Sequence, residues 1–420
     1  GIIDQFITPL ALFLGASGIW IGVLNFVRNS FVAIMQINSA AITSRIGSRK
    51  KFITLSVLTA ALLWLPTYLV PFLFGSWKVP IFIIMFTLTS SINMLATPAW
   101  ASLISEYIPP NRRGQYFGWR GTVLGLVYSL SVLLAGLVLY FFHNISLFWG
   151  FFILMAAAAI SRFISWTFLT RLYEPDWKPQ KTDQFTFFQF VKRLPVSNFA
   201  RFAVLVSLFY VFVALVSPFF AVYLLRDLKF DYLSFTLIMG AAAFATMVLQ
   251  NYWGVFADKY GNRKIFLLNA LFISIIPLLW IFSTDKPYLI LIQLIAGIGW
   301  AGFNLASANF IYDAAITAKR ERCLSYYNFL AGLGLGIGAL LGGFLYRFLP
   351  PLWGSSFFTL LIISALGRFL TAVTMRYTVK EVKQVENVRL RMLLYDVSGI
   401  RAFGLLSREL TFIKKKKPTG

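Results

Sequence analysis

Long apolar segments follow one another along almost the whole chain, and they constrain its fold more than any other feature. Hydrophobic residues make up 59% of the 420 residues and charged residues only 13%, against about 45–50% and 25% in soluble domains. A helix needs about 20 apolar residues to cross a bilayer core of about 30 Å. Such segments occupy approximately 1–17, 18–43, 52–74, 80–104, 116–142, 146–170, 201–224, 232–256, 265–284, 287–317, 324–348 and 353–377. We predict an all-α integral membrane protein with twelve spans, because backbone in lipid must satisfy its hydrogen bonds internally.

Basic residues are concentrated in alternate connections between these segments. The chain has 38 Lys and Arg against 15 Asp and Glu, a net charge of +23. Lys and Arg collect in cytoplasmic loops, so we predict a protein of the cell membrane with both termini cytoplasmic. This topology accounts for the charge and argues against nucleic-acid binding. One Cys and one His exclude an intramolecular disulfide, a cysteine-based zinc site and a multi-histidine metal centre.

The second half of the chain repeats the first at a nearly constant offset. Four pairs of segments correspond: Gln36–Lys50 with Gln250–Lys264, Glu106 with Asp313, Ser161–Phe163 with Gly367–Phe369, and Thr8–Pro9 with Ser217–Pro218. Parallel repeats of six spans are related by an axis along the membrane normal. The predicted units are an N-terminal half 1–170, a cytoplasmic linker 171–200, a C-terminal half 201–377 and a basic cytoplasmic tail 378–420. Because Gly1 already lies in an apolar run, we expect the first helix to be truncated at its N-terminus.

One segment of the repeat carries a recognisable motif. Gly254–Lys264 reads GVFADKYGNRK and resembles the signature of the major facilitator superfamily, G-x-x-x-D-[RK]-x-G-[RK]-[RK], with Asn262 replacing a basic residue. The first-half copy has Ala40 and Ser44 in place of Gly and Asp, and it keeps the other positions as Arg45, Gly47, Arg49 and Lys50. The resemblance implies two pseudo-symmetric six-helix halves that rock around a midplane site.

The motif residues predict a gate at the cytoplasmic side. We expect Gly254 to allow close helix approach, Gly261 to allow a tight turn, and Asp258 to cap the fifth span. Arg263 and Lys259 are expected to pair with Asp313, and Arg49 with Glu106. The alternative is that the basic residues only set the topology. The predicted gate comprises Gly254, Asp258, Lys259, Gly261, Arg263, Lys264, Asp313, Arg45, Gly47, Arg49, Glu106 and Arg113.

Asp4 is the only acidic residue deep inside a span. It lies about 18 Å from the Gly15–Ser17 turn at 1.5 Å per residue, and Arg28 lies at a similar depth in the second span. An ionisable residue inside the membrane is costly and therefore a candidate for function. Protonation of Asp4 would break a pair with Arg28 and couple transport to protons. The alternative is a permanent ion pair that holds the first two helices together.

Other polar residues extend the candidate site. Asn25, Arg28, Asn29 and Gln36 share one face of about 100° on the second span, which favours either a cavity wall or helix–helix hydrogen bonds. The first, fourth, seventh and tenth spans line the cavity in the superfamily, which by resemblance adds Asn93, Tyr210, Trp300 and Asn304. Arg162 and Arg368 lie on peripheral helices in that family, so we expect them to snorkel or to bond within their own half. The eleventh span is rich in glycine, which predicts close packing or a hinge.

These features together predict a secondary transporter of a small organic solute. We favour proton-coupled efflux of amphipathic compounds, because the interior is aromatic and weakly charged. Uptake of a nutrient, either a sugar or an organic anion, is the alternative, and a non-transporting receptor is the second. The chain has no catalytic cluster and no phosphate-binding loop, so we predict neither enzyme activity nor a cofactor. The predicted partners are a small-molecule substrate, protons as the candidate coupling ion, and the bilayer, around a monomer.

Overall fold

The computed structural model describes residues 2–107, 113–175, 187–193, 195–314 and 320–382. The linker residues 176–186 and most of the predicted basic tail lie outside the described residues, as do the side chains of Glu106 and Arg113. The described helices are α1 Ile2–Phe13, α2 Gly18–Ile46, α3 Arg49–Leu69, α4 Lys78–Leu95, α5 Thr97–Tyr107, α6 Arg113–Phe142, α7 Leu147–Leu169, α8 Phe187–Lys192, α9 Asn198–Ala214, α10 Phe219–Val222, α11 Tyr232–Tyr260, α12 Asn262–Leu279, α13 Lys286–Ala314, α14 Arg320–Phe348 and α15 Ser356–Thr378.

The helices confirm the predicted all-α membrane architecture. Within the described residues, ten segments are long and apolar enough to cross a membrane, and one of them, Arg49–Ile104, contains two successive spans. The shorter apolar helix Ile3–Phe13 precedes them. The repeat is also visible in the helix bounds, since α7 and α15 each have 23 residues and each follows a long helix, α6 or α14.

Two of the predicted spans contain breaks. The fourth span is divided into α4 and α5 at Ala96, and the seventh into α9 and α10 at residues 215–218. Pro98 and Pro218 lie at these two breaks, and proline has no backbone N–H to continue the hydrogen bonds of the preceding helix. The seventh span ends in a π-helical turn, Tyr223–Asp227. Helix breaks at membrane depth are tolerated where the backbone is enclosed by protein or lines a cavity.

The two halves meet along two seams, α2 against α14 and α6 against α11. The glycines of α14 make the first seam possible. A Cβ on Gly332 would lie 2.9 Å from Ala33 Cβ on α2, and Cβ atoms on Gly334 and Gly338 would clash with carbonyl oxygens of α9. A Cβ on Gly342 would clash with the carbonyl oxygen of Leu215, just after α9. Since α14 is one continuous helix, the glycines serve close packing on two sides, which is one of the two predicted roles.

Candidate functional site

A cavity of about 510 Å³ lies within the first half and contains the predicted ion pair. Arg28 on α2 donates from an Nη atom to Asp4 Oδ1 on α1 at 2.8 Å. The two side chains are 21% and 42% exposed, so solvent can reach the carboxylate. Asn93 on α4 also lines this cavity, and its Oδ1 is buried without a partner among the described residues. Three of the predicted site residues therefore share one cavity.

Arg162 on α7 lines the same cavity. The sequence predicts that this residue snorkels or bonds within its half. Instead, its position on the cavity wall brings a second arginine to the cavity that holds Asp4. The remaining polar lining is hydroxyl-rich, with Ser90, Tyr128, Ser131, Ser161 and Ser165.

A second cavity of about 540 Å³ lies mainly within the second half. The predicted residues Trp300 and Asn304 of α13 line it. Its other polar lining residues include Gln250, Gln293 and Arg368, none of which the sequence places at a cavity. Of the described residues that line this cavity, none is acidic.

Arg368 on α15 is buried in the wall of this second cavity, with 4% of its surface exposed. Its two Nη atoms lie 3.5 Å from the carbonyl oxygens of Ile273 and Val213, at the long limit of hydrogen bonding. Among the described residues, Arg368 Nε has no partner. The expected bonds within its own half are therefore present but long, and the described part of the chain provides no ion pair for the guanidinium.

The two cavities are neighbours, and a third of about 410 Å³ adjoins both, since Tyr128 also lines the first cavity and Gln5 and Met239 the second. On α1, Asp4 lines the first cavity and Gln5 the second. On α6, Leu124 lines the first and Gly125 the second. Helices α1 and α6 therefore lie between the two cavities and contribute consecutive residues to each.

Four predicted site residues line neither cavity: Asn25, Asn29, Gln36 and Tyr210. Asn25 donates to the carbonyl oxygen of Ile21 in its own helix at 2.9 Å. The backbone oxygen of Asn29 lies beside Gly332 of α14, so this part of α2 belongs to the seam between halves. Tyr210 hydrogen bonds to Tyr327 and packs edge-on against Phe303, so its ring is part of the packed core of the second half.

The predicted gate lies at the end of the bundle that carries the basic loops, here named the basic end and defined by residues 45–51 and 258–264. Gly47 and Gly261 have φ values of 73° and 92°, a backbone conformation that glycine adopts without steric cost. The predicted tight turn at Gly261 is therefore present. Gly254 has a different environment from the one expected, because an added Cβ would make only an ordinary contact with Leu305 at 3.6 Å.

The second-half motif binds partners other than those predicted. Asp313 accepts a hydrogen bond from Asn262 Nδ2 at 2.6 Å, so the residue that departs from the superfamily pattern takes the place predicted for Arg263. The Arg263 guanidinium instead donates to the carbonyl oxygens of Val379 and Arg376 at 2.6 and 2.5 Å. Its backbone N–H donates to Glu381 Oε2 at 2.9 Å. The loop is thereby tied to the end of α15.

The first-half motif makes the equivalent attachment to the end of α7. Glu174 accepts from the backbone N–H of Arg49 at 2.7 Å and from Ser48 Oγ at 2.5 Å. Arg49 is 1% exposed, and its Nε lies 3.7 Å from the Glu174 carboxylate. It also donates to Ser102 Oγ at 3.1 Å. The predicted partner, Glu106, has its side chain outside the described residues, as does Arg113.

The other predicted gate residues lie at the same end of the bundle. The side chains of Arg45, Asp258 and Lys259 are exposed, and that of Lys264 is half-buried. Lys259 Nζ lies 4.8 Å from the ring centre of Tyr260. Residues 108–112, just before α6, lie outside the described residues, so the cap expected from Asp258 stays a prediction.

The halves contact each other closely at the opposite end, defined by residues 15–17, 143–146 and 227–231. A Cβ on Gly22 would lie 2.7 Å from the carbonyl oxygen of Ala339, and one on Gly136 would clash with Thr236. The rings of His143 and Tyr232 are 5.9 Å apart. The seams are therefore packed tightly towards the opposite end, while Arg45 and Asp258 are exposed at the basic end.

Two helical halves around charged cavities define a multi-pass membrane protein of the transporter class. The model of the Major Facilitator Superfamily matches residues 4–220 and 202–414. The chain belongs to this superfamily of transporters, whose members bind small-molecule substrates.

Individual relatives are more distant. The tetracycline resistance protein, class B, of Escherichia coli is 28% identical over 153 residues, and the match spans 36% of each chain. A D-xylose–proton symporter superposes with a TM-score of 0.71 over 92% of this chain and 94% of that chain, at 16% identity. A bacterial homologue of the human lysosomal transporter Spinster, inward-facing and occupied, superposes with a TM-score of 0.65 over 89% and 91%, at 15% identity. These likenesses show the fold.

Proposed function

We propose that this chain moves a small organic solute by alternating access, coupled to protons through Asp4. The observation that carries the proposal is the Asp4–Arg28 pair, 2.8 Å long and on the wall of a cavity. A carboxylate at this depth is costly unless it is paired or protonated. Its partly exposed side chain can exchange protons with the cavity, unlike a fully enclosed structural pair.

Protonation of Asp4 removes the charge that holds Arg28. The pair joins α1 to α2, and α2 forms the seam with α14 of the other half. Releasing Arg28 changes the free energy of that seam. A proton can shift the equilibrium between the inward-open and outward-open states only if it binds one of them more tightly than the other. The pair is thus a link between protonation and movement of the halves.

The basic end faces the cytoplasm in this proposal, in agreement with the distribution of Lys and Arg. The tight contacts at the opposite end then form the closed outer gate, and the cavities open towards the cytoplasm. Asn262, Asp313, Arg49 and Glu174 brace the inner loops within each half as the halves separate.

We favour efflux as the direction. The match to a tetracycline resistance protein supports it, and the second cavity is lined by aromatic side chains including Trp280 and Trp300. Nutrient uptake is the second candidate, because the D-xylose–proton symporter shares the fold over nearly the whole chain and arginines line both cavities. The retained motif residues in the second half argue against a receptor that has lost transport.

Substrate-driven proton movement in proteoliposomes tests the proposal. A pH-sensitive dye reports lumenal pH while drugs, sugars and organic anions are added in turn. We expect at least one class to drive proton flux, and Asp4→Asn to abolish the flux while leaving the protein monodisperse. Asp285→Asn is the matched control, because Asp285 is an exposed carboxylate at the opposite end that bonds to Ser283. Flux that persists in Asp4→Asn would show that Asp4 is only a structural partner of Arg28.

A further inference from the structure

We propose that Arg368 and Trp280 form a binding site for an oxyanion carried by the substrate, either a carboxylate or a phosphate. This inference rests on the proposed transport function and names the chemical class of its substrate. It places the anionic group at the second cavity, in the C-terminal half.

The charge of Arg368 is the first argument. An arginine side chain carries a positive charge, and a buried charge is costly unless it is paired. Arg368 is 4% exposed, its bonds to Ile273 and Val213 are 3.5 Å long, and no acidic residue is found among the described residues of the cavity wall. An anion bound in the cavity supplies the missing counter-charge.

Unused hydrogen-bond donors are the second argument. Trp280 is 1% exposed and lines the same cavity, and its indole Nε1 has no partner among the described residues. Arg368 Nε is also buried without a hydrogen-bond partner among the described residues. Buried donors are nearly always satisfied, and both of these are donors only. Each of them needs an acceptor, and arginine binds carboxylate and phosphate oxygens with two parallel hydrogen bonds.

The rest of the wall fits an organic body attached to that group. Trp300, Phe220 and Met239 supply apolar surface, and Asn304 and Gln293 supply amides. A volume of about 540 Å³ lies in the range of sites for small organic ligands. The cavity thus has a polar end at Arg368 and aromatic walls, a combination suited to an amphipathic anion.

The first cavity offers a weaker case for the same group. Arg28 and Arg162 line it, but so does Asp4. The carboxylate already neutralises Arg28 at 2.8 Å and would repel an incoming anion. Among the described lining residues, the second cavity is therefore the one where an anion meets an arginine and no carboxylate.

Ligand-dependent thermal stability of the purified full chain tests this assignment. The probes share a ring and differ in charge: benzoate and phenyl phosphate as anions, benzamide as the neutral control and benzylamine as the cation, all at constant ionic strength. Indoleacetate extends the anion series to a larger body. We expect one or more anions to raise the unfolding midpoint and quench tryptophan fluorescence, and the amide and amine to do neither. A phosphate-only or carboxylate-only response identifies the group.

Two variants test whether the anions bind at this site. Arg368→Gln is expected to weaken anion binding at least tenfold, since it removes a charge-assisted pair worth more than 1.4 kcal/mol. Trp280→Phe keeps the aromatic packing and is expected to weaken binding severalfold. If Arg368→Gln does not fold, Trp280→Phe and the wild-type charge series still decide the question. Equal binding of the amide, no response to any anion, or unchanged binding in both variants would overturn the proposal.

Failure of this inference and failure of the transport function give different results. Anion binding in detergent without anion movement in proteoliposomes leaves the site intact and contradicts transport. Proton-coupled movement of a neutral or cationic solute, with no response to anions, supports transport and removes the anion site.

Discussion

The two halves share a scaffold and differ in the charges within it. Each half has an arginine at the same place in its last helix, Arg162 in α7 and Arg368 in α15, and each lines a cavity of its own half. The first cavity also holds Asp4 paired with Arg28. The second has no acidic residue among its described lining. The repeat thus supplies two cavities with different charges, and our proposals assign proton exchange to the first and anion binding to the second.

The loops at the basic end differ in a second way. In the first half the motif arginine is buried and faces a glutamate, whereas in the second half Arg263 is half-buried and its guanidinium binds two backbone carbonyls. The duplicated fold therefore determines where each loop is attached, and single residues determine how strongly it is attached. Function belongs to such sites and not to the fold itself.

The largest expected effect concerns α14, which packs within one half and also between halves. Gly338→Ala would force a Cβ against the Val211 carbonyl of α9, and overpacking against backbone costs about 3 kcal/mol. In Gly332→Ala the new Cβ would face α2 across the seam, 2.9 Å from the Cβ of Ala33. Its nearest contact is thus a side-chain atom and not a backbone carbonyl. We expect the first change to reduce folded yield and the second to spare folding but slow transport. Thermal unfolding and uptake measure the two effects, with Gly240→Ala, which has open space around it, as the control.

The loop attachments give the next effect. Glu174→Gln removes the charge that faces the buried Arg49, and we expect a loss of about 2 kcal/mol. Glu381→Gln should cost about 1 kcal/mol or less, because Arg263 keeps its bonds to Val379 and Arg376. Denaturant or thermal unfolding in detergent compares the two variants. Equal losses would show that the halves attach their loops with equal strength.

Replacing the cavity arginines Arg368 and Arg28 with methionine is expected to change the stability of the protein in opposite directions. Arg368→Met removes an unpaired buried charge and should stabilise the ligand-free protein by about 1–2 kcal/mol, as seen when buried ionic groups are replaced by apolar ones. Arg28→Met removes the hydrogen bond to Asp4 and should destabilise the protein by about 1 kcal/mol. Thermal midpoints without ligand measure both. Destabilisation by Arg368→Met would mean that its long bonds to carbonyls already satisfy the guanidinium.

The smallest effect compares the caps of α2 and α11. Asp231 accepts from the Ser234 N–H at 2.8 Å and pairs with Lys286 at 3.1 Å, while Ser17 makes no side-chain cap bond. Asp231→Ala should therefore cost about 1 kcal/mol and Ser17→Ala almost nothing. Thermal unfolding of the two variants side by side checks this. A loss as large for Ser17→Ala would contradict the difference between the caps.

The Asp231 cap also has a defined pH dependence. Burial raises the pKa of Asp231, but the hydrogen bonds from Ser234 and Lys286 outweigh it and lower that pKa from 3.8 to about 2. The stabilising contribution is then complete above pH 3.8 and is lost as the pH falls through about 2. The difference in stability between wild type and Asp231→Ala should shrink over that interval.

The sequence predicts the spans, the repeat and the Asp4–Arg28 pair because each depends on quantities that a sequence contains. Span length and apolar content follow from the bilayer, and residue depth follows from the rise per residue. The Gly261 turn is predicted for the same reason, since only its local backbone matters. Breaks at Ala96 and residues 215–218 also have a local signal, the prolines Pro98 and Pro218.

The remaining site residues depend on which way a helix faces. Arg162 and Arg368 were expected to be peripheral, and only the packing of α7 and α15 turns them towards cavities. Two features of the sequence point to a role for these arginines: they occupy corresponding positions in the repeat, and they lie deep in a span. Glu174 and Glu381 are separated from Arg49 and Arg263 by 125 and 118 residues, so their contacts come from tertiary structure. The polar face of α2 is divided in the same way: Arg28 lines the first cavity, whereas Asn29 lies at the seam with α14. This division also depends on tertiary packing.

Anion binding and proton-driven uptake, measured together in wild type, Asp4→Asn and Arg368→Gln, test the division of roles between the halves most directly. Binding is read in detergent and uptake in proteoliposomes with an imposed pH gradient. The account predicts that Asp4→Asn keeps anion binding but loses the response to the gradient, whereas Arg368→Gln loses binding itself. If both variants lose binding and coupling to the same extent, the two cavities act as one site and the proposed division is wrong.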